Sequence, residues 1–101
     1  MQDVARSKTG ISVRLTDERW THIVEEHSEM AGLRHEVLEA ISNPSMILEG
    51  GYGEFIAVRE VSEGKYLVVV YREIDDNGFV ITSFMTRQKR FLTRRKKLWP
   101  I

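Results

Sequence analysis

Cysteine is absent from the 101 residues, which excludes disulfides and thiolate metal sites and leaves packing to hold the fold. Proline occurs only at Pro44 and Pro100. No Pro/Ser-rich linker, internal repeat or low-complexity tract divides the chain, so one domain over 1–101 is expected. No apolar run approaches the ~18 residues of a membrane span. The leading "MQDVARSKTGISV" also lacks an apolar stretch of signal-peptide length. A soluble, cytoplasmic protein is the expectation. Hydrolase signatures are missing as well: there is no G-x-S-x-G elbow, and "EGGYGE" lacks the lysine and following helix of a phosphate cradle.

Acidic residues are missing from one end only. Residues 87–101 carry seven Lys/Arg and no Asp/Glu, whereas residues 1–86 carry fifteen Asp/Glu against eight Lys/Arg. A formal net charge of zero therefore hides an acidic body and a basic end. The block "RQKRFLTRRKK" has three readings: a phosphate-binding surface, a segment docked on the acidic remainder, or a solvated tail.

The first ten residues read as a loose lead-in, and "ISVRL" (11–15) alternates as a short strand. Thr16 suits an N-cap, with Asp17 and Glu18 in the first turn against the helix dipole. Trp20, Ile23, Val24, His27 and Met30 form one helical stripe, which Gly32 ends or bends. A second helix fits "LRHEVLEAI", stopped by Asn43-Pro44. The period then changes to strands: "MILE", "EFIAVRE", "KYLVVVYRE" and "GFVITSFMT". The run "YLVVVY" is apolar on both faces, as a central strand requires. The pattern predicts an α+β fold with two N-terminal helices packed on a four-stranded antiparallel sheet.

Turn chemistry predicts a register. A hairpin at Asn77-Gly78 sets Tyr71 opposite Phe84, and a loop at Ser62-Glu63-Gly64 sets Arg59 opposite Leu67. Phe55, Arg59, Leu67, Val69, Tyr71, Thr82, Phe84 and Thr86 then share one face, and Ile56, Val58, Val68, Val70, Ile81 and Met85 the other.

The histidines of "RWTHIVEEH" (19–27) are spaced i and i+5, about 140° apart on a helix rather than in the i, i+4 array of a helical zinc pair. With no cysteine, no metal site and no cofactor are expected. His27 on the apolar stripe reads either as a structural core histidine or as a sheltered acid/base near a helix C-terminus. His22 faces the other way, nearer Glu26, and reads as a surface histidine. His35 receives no role. Histidine, arginine, tyrosine and threonine beside a basic end suit metal-independent RNA cleavage. There a base takes the ribose 2′-OH proton, an acid protonates the leaving 5′ oxygen, and cations stabilise the phosphorane.

"ISVRLTDERWTHIVEEHSEM", a helix ending "ISNP", strands "YLVVVY" and "GFVITSFMTRQKR", and a terminal "KKLW" together resemble phage-associated nuclease-like domains of the barnase/EndoU/colicin/RelE (BECR) superfamily. The resemblance runs from about Ile11 to Trp99. Its most specific part is W-x-H-I-x-x-x-H, here Trp20, His22, Ile23 and His27; Ser28 stands where the family usually has proline. It implies helices on an antiparallel sheet and metal-independent ribonuclease activity, often in toxins or phage-linked proteins. His22 and His27 match the helix histidines, and Arg59, Thr82 and Thr86 match polar strand positions. Arg87, Lys89 and Arg90 match the basic exit after the last strand. On these positions we expect His22 or His27 as base or acid, Arg59 and Arg87 as phosphorane stabilisers, Tyr71 stacking a base, and Lys89 and Arg90 tracking the RNA backbone. The expected partner is RNA, with an acidic antitoxin or immunity protein if the chain is a toxin. The alternative is a non-catalytic RNA- or protein-binding module that uses the basic segment.

Overall fold

A computed structural model describes residues 2–101. Helix α1 (Asp17–Glu26) starts where the sequence predicts: the Thr16 hydroxyl accepts from the Arg19 N–H at 3.1 Å, and Asp17 and Glu18 occupy the first turn. It ends before the apolar stripe does. His27 has left helical geometry at φ −133°, and one 3₁₀ turn, Ser28–Met30, follows before Gly32 at φ +82°. Met30 thus reaches the core from that turn, not from the helix. Helix α2 (Arg34–Ser42) buries Val37, Ala40 and Ile41 and stops at Asn43-Pro44.

One sheet contains β1 (Gln2–Arg6), β2 (Ser12–Thr16), β3 (Met46–Glu49), β4 (Phe55–Ser62), β5 (Lys65–Ile74), β6 (Asn77–Thr86) and β7 (Lys97–Trp99); a short helix, α3 (Lys89–Thr93), precedes β7. The strand order is β1-β2-β6-β5-β4-β3-β7. This corrects the expectation of two helices on a four-stranded antiparallel sheet. Among the described residues the sheet has seven strands and is mixed, because β2 runs parallel to β6. The four expected strands form its middle. Residues 2–6, expected to be loose, pair along their whole length with β2. In β1 only Ala5 is buried, so an edge strand with one inward residue offers no alternation to read. β7, at three residues, is too short for any period.

β5 lies at the centre, and both its faces are dry: Leu67, Val69 and Tyr71 are buried on one and Val68 on the other. Arg59 pairs with Leu67, as the Ser62-Glu63-Gly64 loop predicts. The β5–β6 pairing differs from the prediction. Its turn is Asp75-Asp76, with Asp75 at φ +55°, Ile74 opposite Asn77 and Tyr71 opposite Val80 instead of Phe84. Val70 then pairs with Thr82, which leaves Ile81 bulged out of the ladder. A bulge adds one residue and so inverts the facing of everything beyond it. Thr82, Phe84 and Thr86 consequently lie opposite Val70, Val68 and Tyr66, away from Arg59, Leu67, Val69 and Tyr71, while Met85 joins Leu67.

Each face has its own core. Beneath α1 and α2 pack Val13, Leu15, Ile23, Met30, Val37, Ile41, Leu67, Val69, Tyr71 and Val80. On the opposite face Leu48, Ile56, Val58 and Val68 pack with Leu92 of α3, and Phe84 and Phe91 lie at the margin. Burying one leucine contributes about 2 kcal/mol. That tertiary contact is what holds α3, since five residues do not form a stable helix alone. The ends are tied across the structure. Arg34 of α2 reaches Asp3 of β1 and Asp17 of α1, each at 2.8 Å, and donates to the Leu15 carbonyl at 3.3 Å. The Lys8 ammonium, in the turn after β1, stands 5.0 Å above the Trp99 ring of β7 and so links the regions of the two end strands.

Gly78, expected as a hairpin residue, stands instead opposite Val13 where β2 pairs with β6. A Cβ there falls 2.9 Å from Val13 Cγ2 and 3.2 Å from the Ser12 carbonyl oxygen. Gly78→Ala is therefore expected to lower stability by about 1–3 kcal/mol through overpacking. Gly51→Ala, where a Cβ meets nothing within 4 Å, stays within about 0.5 kcal/mol of wild type. Urea midpoints of the two variants check this; equal midpoints contradict the close β2–β6 approach.

Candidate functional site

The free edge of β6 organises the site. Among the described residues β2 pairs with Asn77, Gly78 and Phe79 of β6 and no strand pairs with the outer edge beyond Phe79. The 3₁₀ turn covers part of it: the Met85 N–H donates to Glu29 Oε2 at 3.5 Å. His27 sits at the start of that turn, its own N–H donating to the Ile23 carbonyl at 2.7 Å. Its ring lies 5.7 Å from that of Phe84, and its side chain is 32% exposed. Nδ1 is 3.8 Å from Glu29 Oε2, an ion pair when the imidazole is protonated. The imidazole is thus covered on one side by Phe84, partly open to solvent and near a carboxylate.

Phe84 carries the contact onward. Because the bulge turns it to the α3 face, its ring meets Phe91 edge-on at 5.8 Å, and the Arg95 guanidinium stands 5.1 Å over Phe91. A groove of about 280 Å³ opens beside this chain, lined by Gly51, Tyr52, Glu54, Ile56, Val70, Phe84, Phe91 and Arg95. A second hollow of about 530 Å³, lined by Gln88, Arg90, Phe91, Arg94 and Arg95, shares Phe91 and Arg95 with it. A further hollow of about 590 Å³ at Gln2, Thr16, Asp17 and Glu18 contains two carboxylates and none of the candidate catalytic or RNA-binding residues.

Glu54 is the acidic member of the groove. The Tyr52 N–H donates to its Oε1 at 2.8 Å, and Arg72 lies 4.0 Å from Oε2. That backbone hydrogen bond above all, with its own N–H and the charges of Arg72 and Arg95, holds the carboxyl below its ordinary range against the cost of desolvation. Gly50 makes the arrangement possible, since a Cβ there would collide with the Glu54 side chain.

The candidate residues divide into groups. His27, Thr82 and Thr86 lie along or beside the second half of β6, and Arg87, Lys89 and Arg90 follow as exposed cations. The Thr86 hydroxyl accepts from the Gln88 N–H at 3.0 Å, which shapes the exit from the strand. His22 lies apart: it is 55% exposed on α1, with Glu25 rather than Glu26 as its neighbour, 3.7 Å away. Arg59 is on the opposite sheet face and donates to the Asn43 carbonyl at the end of α2, a structural contact. Tyr71 is 1% exposed and stacks on Phe55 at 5.5 Å, so its ring is closed to a base; the expected stacking role is corrected by burial. Among the described residues no three His, Asp or Glu side chains group so as to hold a metal ion, and no helix is long and apolar enough to cross a membrane.

Sequence reasoning passed over Tyr52, Glu54, Phe91 and Arg95. A signal existed for two of them: Phe91 and Arg95 are spaced i and i+4, and both lie within the basic block. Nothing local links Glu54 to them, because the connection runs through the sheet.

Burial also fixes the acid–base behaviour of Tyr71. Desolvation, aided by the Glu73 carboxylate, pushes its hydroxyl far above the ordinary phenol value of 10.0. The unfolded phenol ionises near pH ~10 and the native one does not, so this contribution to stability is present below about pH 10 and lost as pH rises past it. Absorbance at 295 nm is expected to show one of the three tyrosines un-ionised in the native protein at a pH where the urea-unfolded chain has ionised all three. Three equivalent native titrations contradict the burial of Tyr71. Comparison of the chain with protein-family models, with curated proteins and with solved structures returned no match.

Proposed function

We propose that the protein is a metal-independent RNA endonuclease with His27 at its centre and the basic C-terminal segment as its phosphate-binding surface. The observation that carries this reading is the contact series from His27 through Phe84 and Phe91 to Arg95. It joins the one sheltered helix-end histidine to the one segment rich in cations and free of acids, features far apart in the sequence. The resemblance of the W-x-H-I-x-x-x-H stretch to phage-associated BECR nucleases points the same way.

In the proposed reaction the His27 imidazole takes the proton of the ribose 2′-OH as that oxygen attacks the adjacent phosphorus. Arginines of the basic segment, Arg87 first among them, balance the charge of the phosphorane. The imidazolium returns the proton to the 5′ oxygen as the P–O5′ bond breaks, leaving a 2′,3′-cyclic phosphate and a free 5′-OH. Glu29 orients the ring and pairs with its charged form. Thr82 supplies a hydroxyl on the same sheet face as Phe84.

A second reading has its own support: His22 and Arg59 are not gathered around His27. A binding module that holds RNA or a partner protein through the basic segment needs neither. A toxin role, in turn, requires an inhibitor acidic enough to cover that segment.

Cleavage of a mixed-sequence RNA in EDTA separates these readings. His27→Ala is expected to lower the rate by about 10²–10⁴-fold, His22→Ala by less than about threefold, and wild-type products are expected to end in 2′,3′-cyclic phosphate. Salt-sensitive binding without cleavage by any form supports the binding module instead. Equal cleavage by wild type and His27→Ala removes His27 from the mechanism.

A further inference from the structure

The groove beside Phe84 has features that the cleavage chemistry does not use. Tyr52 stands in the Gly51-Tyr52-Gly53 loop, 86% exposed, so its ring is open to a ligand entering the groove it lines. Phe84, Phe91, Ile56 and Val70 line the same groove. The volume, about 280 Å³, lies just below the ~300–1,000 Å³ of pockets for drug-sized ligands, which favours one flat ring system. Glu54 and Arg95 are its charged groups, and of the two only Glu54 accepts hydrogen bonds. Oε1 accepts from the Tyr52 N–H at 2.8 Å and Oε2 lies 4.0 Å from Arg72; a carboxylate oxygen accepts more than one hydrogen bond, so Oε2 can take a further donor. Arg90 and Arg94 line the adjoining hollow.

From this arrangement we infer that the groove seats one unstacked base of single-stranded RNA, selecting a base with an exocyclic amino group over uracil. The inference rests on the reading that RNA is the ligand and names what the site selects. Stacking on aromatic faces tolerates any base, so Tyr52, Phe84 and Phe91 provide affinity without choice. Choice comes from Glu54, which when ionised only accepts. A cytosine N4 amino group donates to Oε2. Uracil presents a carbonyl oxygen at that position, and a carbonyl facing a carboxylate is repelled. A base inside a duplex cannot enter, because it is paired and stacked. The neighbouring cations meet the phosphates on either side, which accounts for a basic rim around an apolar groove.

The test uses the full-length protein with fluorescently labelled 2′-O-methyl oligonucleotides, which lack the attacking hydroxyl and so report binding alone. Oligo-C, oligo-U and a mixed-sequence duplex are compared by anisotropy. Oligo-C is expected to bind at least about fivefold more tightly than oligo-U, and the duplex more weakly than either. Glu54→Gln should bring C and U to within about twofold. Tyr52→Ala, in an exposed loop where the fold is unaffected, should weaken both single strands about tenfold. Phe84→Ala should weaken them similarly, with its circular dichroism compared to wild type because Phe84 also borders a core. Equal wild-type affinity for C and U, unchanged binding by Tyr52→Ala, or no binding of either oligonucleotide each overturns the base seat. Preferential binding of oligo-C by a protein that never cleaves natural RNA keeps the seat and removes the nuclease. Cleavage of natural RNA without such a preference does the reverse.

Discussion

The break in register between β5 and β6 decides where the candidate site lies. With β5 buried on both faces, β6 must choose for each side chain one of two cores, and the unpaired Ile81 makes that choice change partway along the strand. Before it, Val80 enters the core beneath α1 and α2. After it, Thr82, Phe84 and Thr86 turn to the other face, where α3 packs. Had the alternation continued unbroken, Phe84 would have stayed on the helix side, remote from Phe91, and the basic segment would have had no aromatic connection to His27. A bulge costs one ladder pairing. Here it aligns a sheet edge, a histidine and a cationic helix.

The rest of the architecture supports that arrangement. α1 and α2 keep one face of the sheet dry, and the end of α1 brings His27 and Glu29 to the edge that β2 leaves uncovered. Leu92 anchors α3 to the opposite face, so the cations of residues 87–97 are carried on packed structure. Segregated charge then acquires a spatial meaning. The basic segment adjoins a groove whose carboxylate, Glu54, is fixed by a backbone N–H, and the sequence from Arg87 to Ile101 contains no acid.

Much of this was legible in the sequence, for identifiable reasons. Thr16 as an N-cap, α1 and α2, the four middle strands and the central place of "YLVVVY" all rest on local capping or on long apolar periods, and these are strong signals. Asn77-Gly78 misled because the same glycine that suits a hairpin also suits close strand approach, and only Val13 across the sheet decides between them. β1 and β7 carry too few inward residues to show a period. For the site, His27 and the cations of 87–90 were readable one by one. The burial of Tyr71 and the removal of Arg59 to the Asn43 carbonyl were not, since both follow from the facing of residues in a sheet whose register the bulge alters.

The central claim is that His27, Phe84, Phe91 and Arg95 form one surface and that RNA meets it. The most direct measurement follows NMR signals of the His and Phe rings and the Arg side chains while a short single-stranded 2′-O-methyl RNA is added to the wild-type protein. The account predicts that the His27, Phe84, Phe91 and Arg95 signals shift together along one binding curve, while those of His22, Arg59 and Tyr71 stay still. Shifts centred on His22 or Arg59, or movement of the basic segment alone with His27 unperturbed, would contradict it.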